Sequence, residues 1–522
     1  MTEQLISPED LGLPAKFSSW RPGQLEAALD ALSSEKRVVG HGIPTGSGKS
    51  LDYVAQALIS GYRTAILTST KGLQDQLNTD FSSIGLVDVR GRNNYICLTG
   101  DGSMNCEDGH DCGCQYSREK TASHCPYRLA YEQACRAQLV VTNYSYWMAI
   151  HQYGDGLGKF DMLVLDEGHD APDEVCSAVA CEISTREAYQ MLDTSFPTPD
   201  TSFPAWQSWA AMYVAKAQLE LEDLLEQAKY ASAKSLLSEI KAYRALVRKL
   251  ETLSSAIGPW AVEGSRHGYK FDPLWPSQYA ESLLFRGTPR VLIVSATLMP
   301  KTLQLLGVER DDYEFREYPS TFQPAYSPVY YIKTAKIGEK STEEDFEDWH
   351  KRIDEIIKPR INRKGIIHTV SYPRRDKIIL ASAYHEHMIG HDPRGTRDTV
   401  HYFKRTLPPA ILVSPVMGTG WDFPDDECRF QIITKVPFPD RRPVVVRMRE
   451  QDDPHYGPYL AIQALVQATG RGRRSATDWC ENFIIDDNFR WLYNVYRDHF
   501  PAWWRRLYKK PSTVPPPMRR AS

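Results

Sequence analysis

The chain has 522 residues, too many for a single hydrophobic core, so two to four domains are expected. Its 42% hydrophobic and 25% charged residues are typical of a globular protein, and no apolar run is long enough to cross a bilayer. The net charge of -4 excludes a uniformly cationic surface, so nucleic-acid binding would need a local basic groove. Because residues 1–4 lack the basic and apolar regions of a secretory signal, the sequence predicts a cytoplasmic protein with no membrane partner.

A helix is predicted after the segment 20–24, WRPGQ, because apolar residues follow at helical spacing between positions 25 and 32. The Gln24 amide at its start can pair with both the donor and the acceptor edge of adenine. A surface glutamine without a ligand is the alternative interpretation.

The stretch 40–50, GHGIPTGSGKS, contains the parts of a phosphate-binding loop in their working order. Glycines at its centre allow the positive φ angles that turn successive N–H groups toward phosphate oxygens. Lys49 supplies a positive charge to those phosphates, and the Ser50 hydroxyl can ligate Mg²⁺ at a helix start. Ile43 departs from the usual pattern, which has glycine there, and a glycine-rich turn is the alternative. The predicted nucleotide-binding residues are Thr45, Gly46, Ser47, Gly48, Lys49 and Ser50.

Short apolar runs then alternate with helical segments, which predicts a parallel sheet with crossover helices. Strands are expected at 64–68, 138–142 and 162–165. The last of these ends in Asp166 and Glu167, at the edge where such sheets bind ligands. We assign Asp166 to Mg²⁺ and Glu167 to the attacking water; a helix cap is the alternative.

The strand pattern disappears from 173 to about 271, and residues 210–257 predict two or three long antiparallel helices. It resumes at 290–298, RVLIVSATL. A second parallel sheet, without a phosphate loop, is predicted from apolar runs at 329–332, 365–369, 411–415, 430–433 and 482–486.

The segment 467–474, QATGRGRR, follows an apolar helix in this second region. Its guanidinium groups could reach across an interdomain cleft and neutralise charge on a transferring phosphoryl group. A basic helix end that complements the helix dipole is the alternative.

Six of the ten cysteines fall in one short segment, which in a cytosolic chain indicates metal ligation before disulfides. They are Cys97, Cys106, Cys112, Cys114, Cys125 and Cys135.

In order, these segments resemble superfamily 2 helicases, specifically the iron–sulfur group typified by XPD and bacterial DinG. The matching stretches are 43–50 with motif I, 68–71 with motif Ia, 166–169 with the DEAH-type motif II, 295–298 with motif III, 414–424 with motif V and 467–474 with motif VI. Residues 91–97 resemble the entry to the family's cluster domain, and 125–127 resemble its exit.

The resemblance implies an α/β fold with two RecA-like parallel-sheet motor domains. It places the first motor domain at 1–90, 131–174 and 272–300, an Fe–S cluster domain at 91–130, a helical arch at 175–271, the second motor domain at 301–510 and a disordered tail at 511–522.

The same resemblance implies a 4Fe–4S cluster held by Cys97, Cys106, Cys114 and Cys125, since such clusters require four thiolates. Cys112 could replace Cys106, and Cys135 is interpreted as packing. A structural zinc site on the same residues, with His110 or His124, is the alternative.

The implied function is an ATP-dependent DNA helicase that moves 5′ to 3′ on single-stranded DNA and opens forked duplexes as a monomer. ATP and Mg²⁺ would bind between the motor domains, with Gln24 on adenine, Gln467 helping to position the water, and Arg471 and Arg474 stabilising the transition state. An RNA or RNA:DNA hybrid helicase, or a nucleotide-gated DNA-binding scaffold, are the alternatives.

Overall fold

The computed structural model describes residues 6–98, 104–111, 114, 124–152, 154–198, 201–228, 233–338, 341–416, 421, 423–472, 475 and 477–518. In these residues, two sheets of seven strands form the centres of two α/β domains. A smaller antiparallel sheet and two long helices are inserted in the first domain. This confirms the predicted α/β fold with two parallel-sheet domains.

The strands of the described residues, in chain order, are β1 (Val38–Gly42), β2 (Thr64–Thr68), β3 (Leu86–Asp88), β4 (Leu139–Asn143), β5 (Met162–Asp166), β6 (Cys181–Ser184), β7 (Trp260–Ser265), β8 (Gly268–Pro273), β9 (Arg290–Ser295), β10 (Tyr313–Glu317), β11 (Val329–Tyr331), β12 (Lys364–His368), β13 (Met388–Ile389), β14 (Ala410–Ser414), β15 (Phe430–Ile433), β16 (Glu481–Ile484) and β17 (Tyr508–Lys509).

The α-helices of four or more residues are Gln24–Ser33, Lys49–Ser60, Lys71–Phe81, Cys106–Asp111, Pro126–Arg136, Tyr144–His151, Ala171–Val179, Phe203–Gln227, Ala233–Ser254, Pro300–Leu305, Glu343–Ile357, Tyr372–Ala381, Thr396–Arg405, Val444–Asp452, Tyr456–Thr469, Asn488–Tyr496 and Ala502–Arg505.

The first sheet has the strand order β10-β1-β9-β5-β2-β4-β3, and every neighbouring pair is parallel. Its central strands β1, β2 and β5 are buried along their whole length, which explains their continuous apolar sequences. Because the strands are parallel, the carboxyl ends of β1, β5 and β9 lie at one edge of the sheet. That edge carries the phosphate loop, the acidic pair and Ser295.

The predicted end of the first motor domain at residue 300 is wrong. The helix Pro300–Leu305 returns the chain to the sheet, where β10 pairs with β1 from Val38↔Tyr313 to Gly42↔Glu317. The boundary between the two domains therefore lies after Glu317 and before β11.

The second sheet has the order β13-β14-β12-β15-β16-β11-β17, again with parallel neighbours. Its centre is β15, which pairs with β12 on one side and β16 on the other. Each predicted strand of this region is present within two residues of its expected bounds.

The region between Ala180 and Pro273, here called the arch, corrects the prediction that strands are absent there. Two long helices are present as expected, Phe203–Gln227 and Ala233–Ser254. Below them, β6, β8 and β7 form an antiparallel sheet. Its strands are half-exposed, so their sequences lack the continuous apolar runs that identified the other strands.

The cysteine-rich segment has little regular structure in its described part. The amide of Cys97 donates to the Met104 carbonyl at 2.9 Å, and the amide of Cys106 donates to the Tyr95 carbonyl at 2.8 Å. The helix Pro126–Arg136 begins directly after Cys125 with proline at its first position, where no N–H donor is needed. Cys112 lies outside the described residues.

Residues 511–518 differ from the predicted disordered tail. Val514 packs on the core of the second domain, and the carbonyls of Pro515 and Met518 accept hydrogen bonds from Arg360 at 2.9 Å and Arg363 at 2.6 Å. These partners are distant in sequence, which explains why composition alone gave no signal. Residues 519–522 lie outside the described part of the chain.

No helix within the described ranges has the length and apolar content that a bilayer crossing requires.

A buried ion pair joins the end of the helical segment 343–360 to β16. The Arg360 guanidinium donates to both carboxylate oxygens of Glu481, at 2.7 and 2.9 Å, and both side chains are fully buried. It also stacks on the Phe483 ring at 4.6 Å. This bidentate pair fixes the second domain's sheet to its covering helix.

Replacing Glu481 with Gln should therefore lower the free energy of unfolding of the second domain by about 3–5 kcal/mol, because an uncompensated guanidinium stays buried. The measurement is urea denaturation followed by hydrogen exchange of the β16 amides. Glu355→Gln is the matched control: its partner Arg352 is half-buried and its own side chain is 39% exposed, so a loss below about 1 kcal/mol is expected. Equal losses in the two variants would contradict the assignment.

Candidate nucleotide-binding site

The phosphate loop has the backbone that its sequence predicts. Gly46 and Gly48 both have φ of 80°, and the helix Lys49–Ser60 starts directly after Gly48. A Cβ atom at position 48 would lie 2.3 Å from the Gln24 amide nitrogen, so glycine is required there. Ile43, where the usual pattern has glycine, is buried against the first domain's core.

Gln24 supports this loop from the side. Its amide nitrogen donates to the carbonyls of Ser47 at 2.9 Å and Gly48 at 3.1 Å, and its oxygen accepts from the Arg21 amide at 2.7 Å. The Arg21 guanidinium contacts the Gly46 carbonyl. Since both N–H groups of Gln24 are engaged, its predicted pairing with adenine requires one of these bonds to open.

The acidic pair lies beside the loop. Glu167, directly after β5, has a left-handed backbone with φ of 47° and ψ of 43°, a conformation that costs a non-glycine residue about 1–3 kcal/mol. This turn directs the Glu167 carboxylate to the Lys49 ammonium, which contacts it. The structure thus brings together the two motifs that the sequence separates by more than one hundred residues.

Asp166 has the properties of a ligand for a hard cation. Its side chain is 5% exposed; Oδ2 accepts from the Tyr53 hydroxyl at 3.3 Å, while Oδ1 has no hydrogen-bond partner among the described residues. Burial raises the pKa of Asp166 to about 6, against the attraction of Lys49. A buried carboxylate oxygen left unpaired fits Mg²⁺, which is bound by oxygen ligands. Ser50 lies at the start of the adjoining helix.

A chain of polar contacts leads from Glu167 into the second domain. The Ser295 hydroxyl donates to Glu167 at 3.3 Å, and its oxygen lies 2.7 Å from His169 Nδ1. On the other side of the ring, His169 Nε2 contacts the amide of Gln467. Burial opposes ionisation of Glu167, but Lys49 and His169 lower the pKa of this carboxyl to about 2.

The segment 467–472 therefore reaches the first domain. A Cβ atom at Gly470 would lie 3.4 Å from the Thr45 hydroxyl oxygen of the phosphate loop. Burial lowers the pKa of Arg471, while the carboxylates of Glu167 and Asp170 oppose that effect, so its guanidinium faces the acidic side of the cleft. It donates to the Trp421 carbonyl at 2.8 Å. Arg474 lies outside the described residues.

Three of the four predicted cluster cysteines, Cys106, Cys114 and Cys125, line one cavity with His110 and Arg92. Burial and the neighbouring thiol of Cys125 raise the pKa of Cys106 to about 12, and Cys97 acts on it in the same direction. The described residues contain no group of three or more ligating side chains close enough to share one metal ion. The thiol donors and the cavity that they share fit a thiolate-bound centre.

Sequence reasoning missed two members of the site. His169 and Ser295 were placed in motifs without a role, yet they join Glu167 to Gln467. The available signal was the position of Ser295, which ends β9 at the same sheet edge as Asp166.

Two sequence families match the chain in this order. Residues 21–192 match the family described as "DEAD/DEAH box helicase", and residues 363–507 match the family described as "Helicase C-terminal domain". Over 204 residues the chain is 26% identical to ATP-dependent DNA helicase YoaA of Haemophilus influenzae, covering 28% of this chain and 32% of that protein. Over 119 residues it is 30% identical to the Fanconi anemia group J protein homolog of Gallus gallus, covering 20% and 10%. The chain thus spans about a third or less of the curated relatives it matches.

Solved structures with the same fold cover nearly the whole chain. An XPD helicase structure has a TM-score of 0.65 at 15% identity, covering 94% of this chain and 99% of that one. A structure of Xpd4 from S. tokodaii has a TM-score of 0.56 at 13% identity, covering 94% and 100%. The chain thus contains a DEAD/DEAH box helicase match followed by a helicase C-terminal domain match, its motifs meet at one cleft, and its fold is similar to that of the XPD helicase structures.

Proposed function

We propose that this chain is an ATP-dependent DNA helicase that moves 5′ to 3′ on single-stranded DNA and separates forked duplexes. The observation that carries the proposal is the contact between Gln467 and His169, because it joins the second domain to the acidic pair. A cleft lined by both domains can change shape when a triphosphate is cleaved in it, and the change can move a bound strand.

Within this proposal, the loop amides and Lys49 hold the phosphates, while Ser50 and Asp166 hold Mg²⁺. Mg²⁺ would neutralise charge on the phosphate oxygens. Lys49 now contacts Glu167; moving it to a phosphate removes the strongest favourable neighbour of that carboxylate and raises its pKa. Glu167 then becomes a better acceptor for a proton of the attacking water, with Gln467 positioning that water.

Arg471 and Arg474 are proposed to stabilise the transition state, and for Arg471 the acidic surroundings support this role. Arg471→Ala should slow ATP turnover by roughly 10³-fold while ATP binding changes little. The measurement is phosphate release at saturating ATP together with nucleotide titration. Arg490→Ala, which removes an exposed arginine of the same domain, should retain the rate. A loss below about tenfold for Arg471→Ala would remove it from the mechanism.

DNA as the substrate is supported by the relative named ATP-dependent DNA helicase, and the polarity by family resemblance. The alternatives are an RNA or hybrid helicase and a nucleotide-gated scaffold. Unwinding assays on forked DNA, RNA and hybrid duplexes with 5′ or 3′ tails separate these possibilities.

We expect unwinding of 5′-tailed DNA, and Lys49→Ala should abolish hydrolysis but keep strand binding measurable. Strand binding without unwinding by the wild-type protein would favour the scaffold.

A 4Fe–4S cluster on Cys97, Cys106, Cys114 and Cys125 is part of the proposal, supported by the cavity that three of these thiols share. Protein purified without oxygen should show the visible charge-transfer absorption bands of an iron–sulfur centre and contain about four iron atoms per chain. Cys125→Ser should lose both, whereas Cys135→Ser, in a helix packed on the core, should retain them. Stoichiometric zinc without visible absorption would establish the zinc alternative.

We further propose a monomeric cytoplasmic protein. The nine cysteines that the structure describes form no disulfide, although the sulfur atoms of Cys428 and Cys480 lie 3.9 Å apart. Free thiols at this distance fit a reducing compartment.

A further inference from the structure

A buried arginine of the second domain holds the base of the arch. Arg449 lies in the helix Val444–Asp452 and is 7% exposed. Its Nε donates to the Leu274 carbonyl at 2.6 Å, and its Nη2 donates to the Pro273 carbonyl at 3.1 Å. These carbonyls end and directly follow β8, the central strand of the arch sheet.

The same guanidinium also contacts both sides of the interdomain boundary. Nη2 donates to the Cys176 sulfur at 3.2 Å, in the helix that follows the acidic pair, and Nη1 donates to the Tyr456 hydroxyl at 3.0 Å. Burial raises the pKa of Cys176 to about 11, so this acceptor is a neutral thiol at neutral pH. The Asp173 carboxylate lies 3.9 Å away. Arg449 therefore ties three elements together at one point.

Other contacts around Arg449 also join the second domain to the arch and to the segment that follows the arch. The Trp275 indole donates to Asp452 at 2.8 Å, and its ring lies edge-on to Tyr456 with centroids 5.3 Å apart. The Val444 amide donates to the Glu263 carboxylate of β7 at 3.4 Å. The helix Val444–Asp452 thus lies along the arch sheet and is not only near its end.

One rigid helix connects this contact to the nucleotide site. The helix Tyr456–Thr469 begins at Tyr456, whose hydroxyl accepts a hydrogen bond from Arg449. Eleven residues later the same helix carries Gln467, which contacts His169. At 1.5 Å per residue the two points are about 16 Å apart along the axis. A movement of Gln467 relative to His169 is therefore transmitted to Tyr456 and Arg449.

We propose that Arg449 is a positioning residue that fastens the arch base to the second domain, so that nucleotide-driven movement of this domain shifts the arch. The proposal rests on the proposed motor function for its trigger, but the attachment itself does not require ATP. A buried guanidinium cannot leave the Leu274 and Pro273 carbonyls without leaving them unpaired, whereas the Cys176 thiol is a weak acceptor that is lost at lower cost, so the arch base follows Arg449.

The test uses the full chain and hydrogen exchange of the amides between 260 and 275, with and without Mg²⁺ and the non-hydrolysable analogue AMP-PNP. In Arg449→Gln without nucleotide, these amides should exchange at least about tenfold faster than in the wild type, because local opening becomes easier. The wild type should change its exchange there when AMP-PNP binds, and Arg449→Gln should not. Arg449→Lys, which keeps the charge but loses the forked donors, should restore only part of the response.

Arg447→Gln is the matched control, since Arg447 lies on the exposed side of the same helix and contacts the Arg441 carbonyl. It should stay within about twofold of the wild type. In the same preparations, base pairs separated per ATP should fall about fivefold in Arg449→Gln while hydrolysis without nucleic acid stays within about twofold.

Two outcomes overturn the proposal: unchanged exchange of the arch base in Arg449→Gln without nucleotide, or a wild-type nucleotide response that survives the substitution. If the wild type binds no AMP-PNP, the motor function fails, and the nucleotide-free comparison still decides whether Arg449 holds the arch.

Discussion

The imidazole of His169 is the point at which the two domains share one polar network. Its Nδ1 hydrogen-bonds to Ser295 and its Nε2 contacts Gln467, so both domains fix the orientation of the ring. Because Ser295 also bonds Glu167, a shift of the second domain is felt at the acidic pair. The network exists only because parallel strands end at one edge of the first sheet and place these side chains together.

The charges at this edge are balanced by few groups. Lys49 is the principal cation beside the buried carboxylate of Asp166 and the half-buried carboxylate of Glu167; it lowers the pKa of Glu167, while burial keeps the pKa of Asp166 raised. A triphosphate brings more negative charge to the same lysine, so its binding must redistribute that balance. Mg²⁺ at the unpaired oxygen of Asp166 would supply the missing positive charge. A bound triphosphate would therefore be coupled to the charge state of the acidic pair by electrostatics.

Much of the fold could be predicted because buried parallel strands have continuous apolar sequences, as β2 and β5 do. The strands that sequence reasoning missed are of another kind. β10 reads Tyr-Glu-Phe-Arg-Glu at a sheet edge and β6 is half-exposed, so each depends on its partner and not on its own composition. The motif residues could be predicted from spacing, whereas the partners of Gln24 and the position of residues 511–518 depend on contacts between distant parts of the chain.

The arch is held to the two domains by different forces. Toward the first domain, arch side chains such as Trp206 and Leu246 belong to the same apolar cluster as Trp147. Such packing is non-directional and tolerates small sliding. Toward the second domain, the bonds from Arg449 to the Leu274 and Pro273 carbonyls are short and directional, so they tolerate little displacement. When the two domains move apart, the apolar contact can adjust and the weak bond from Arg449 to the Cys176 thiol can open, while the bonds to the Leu274 and Pro273 carbonyls keep their geometry, and the position of the arch base follows the second domain.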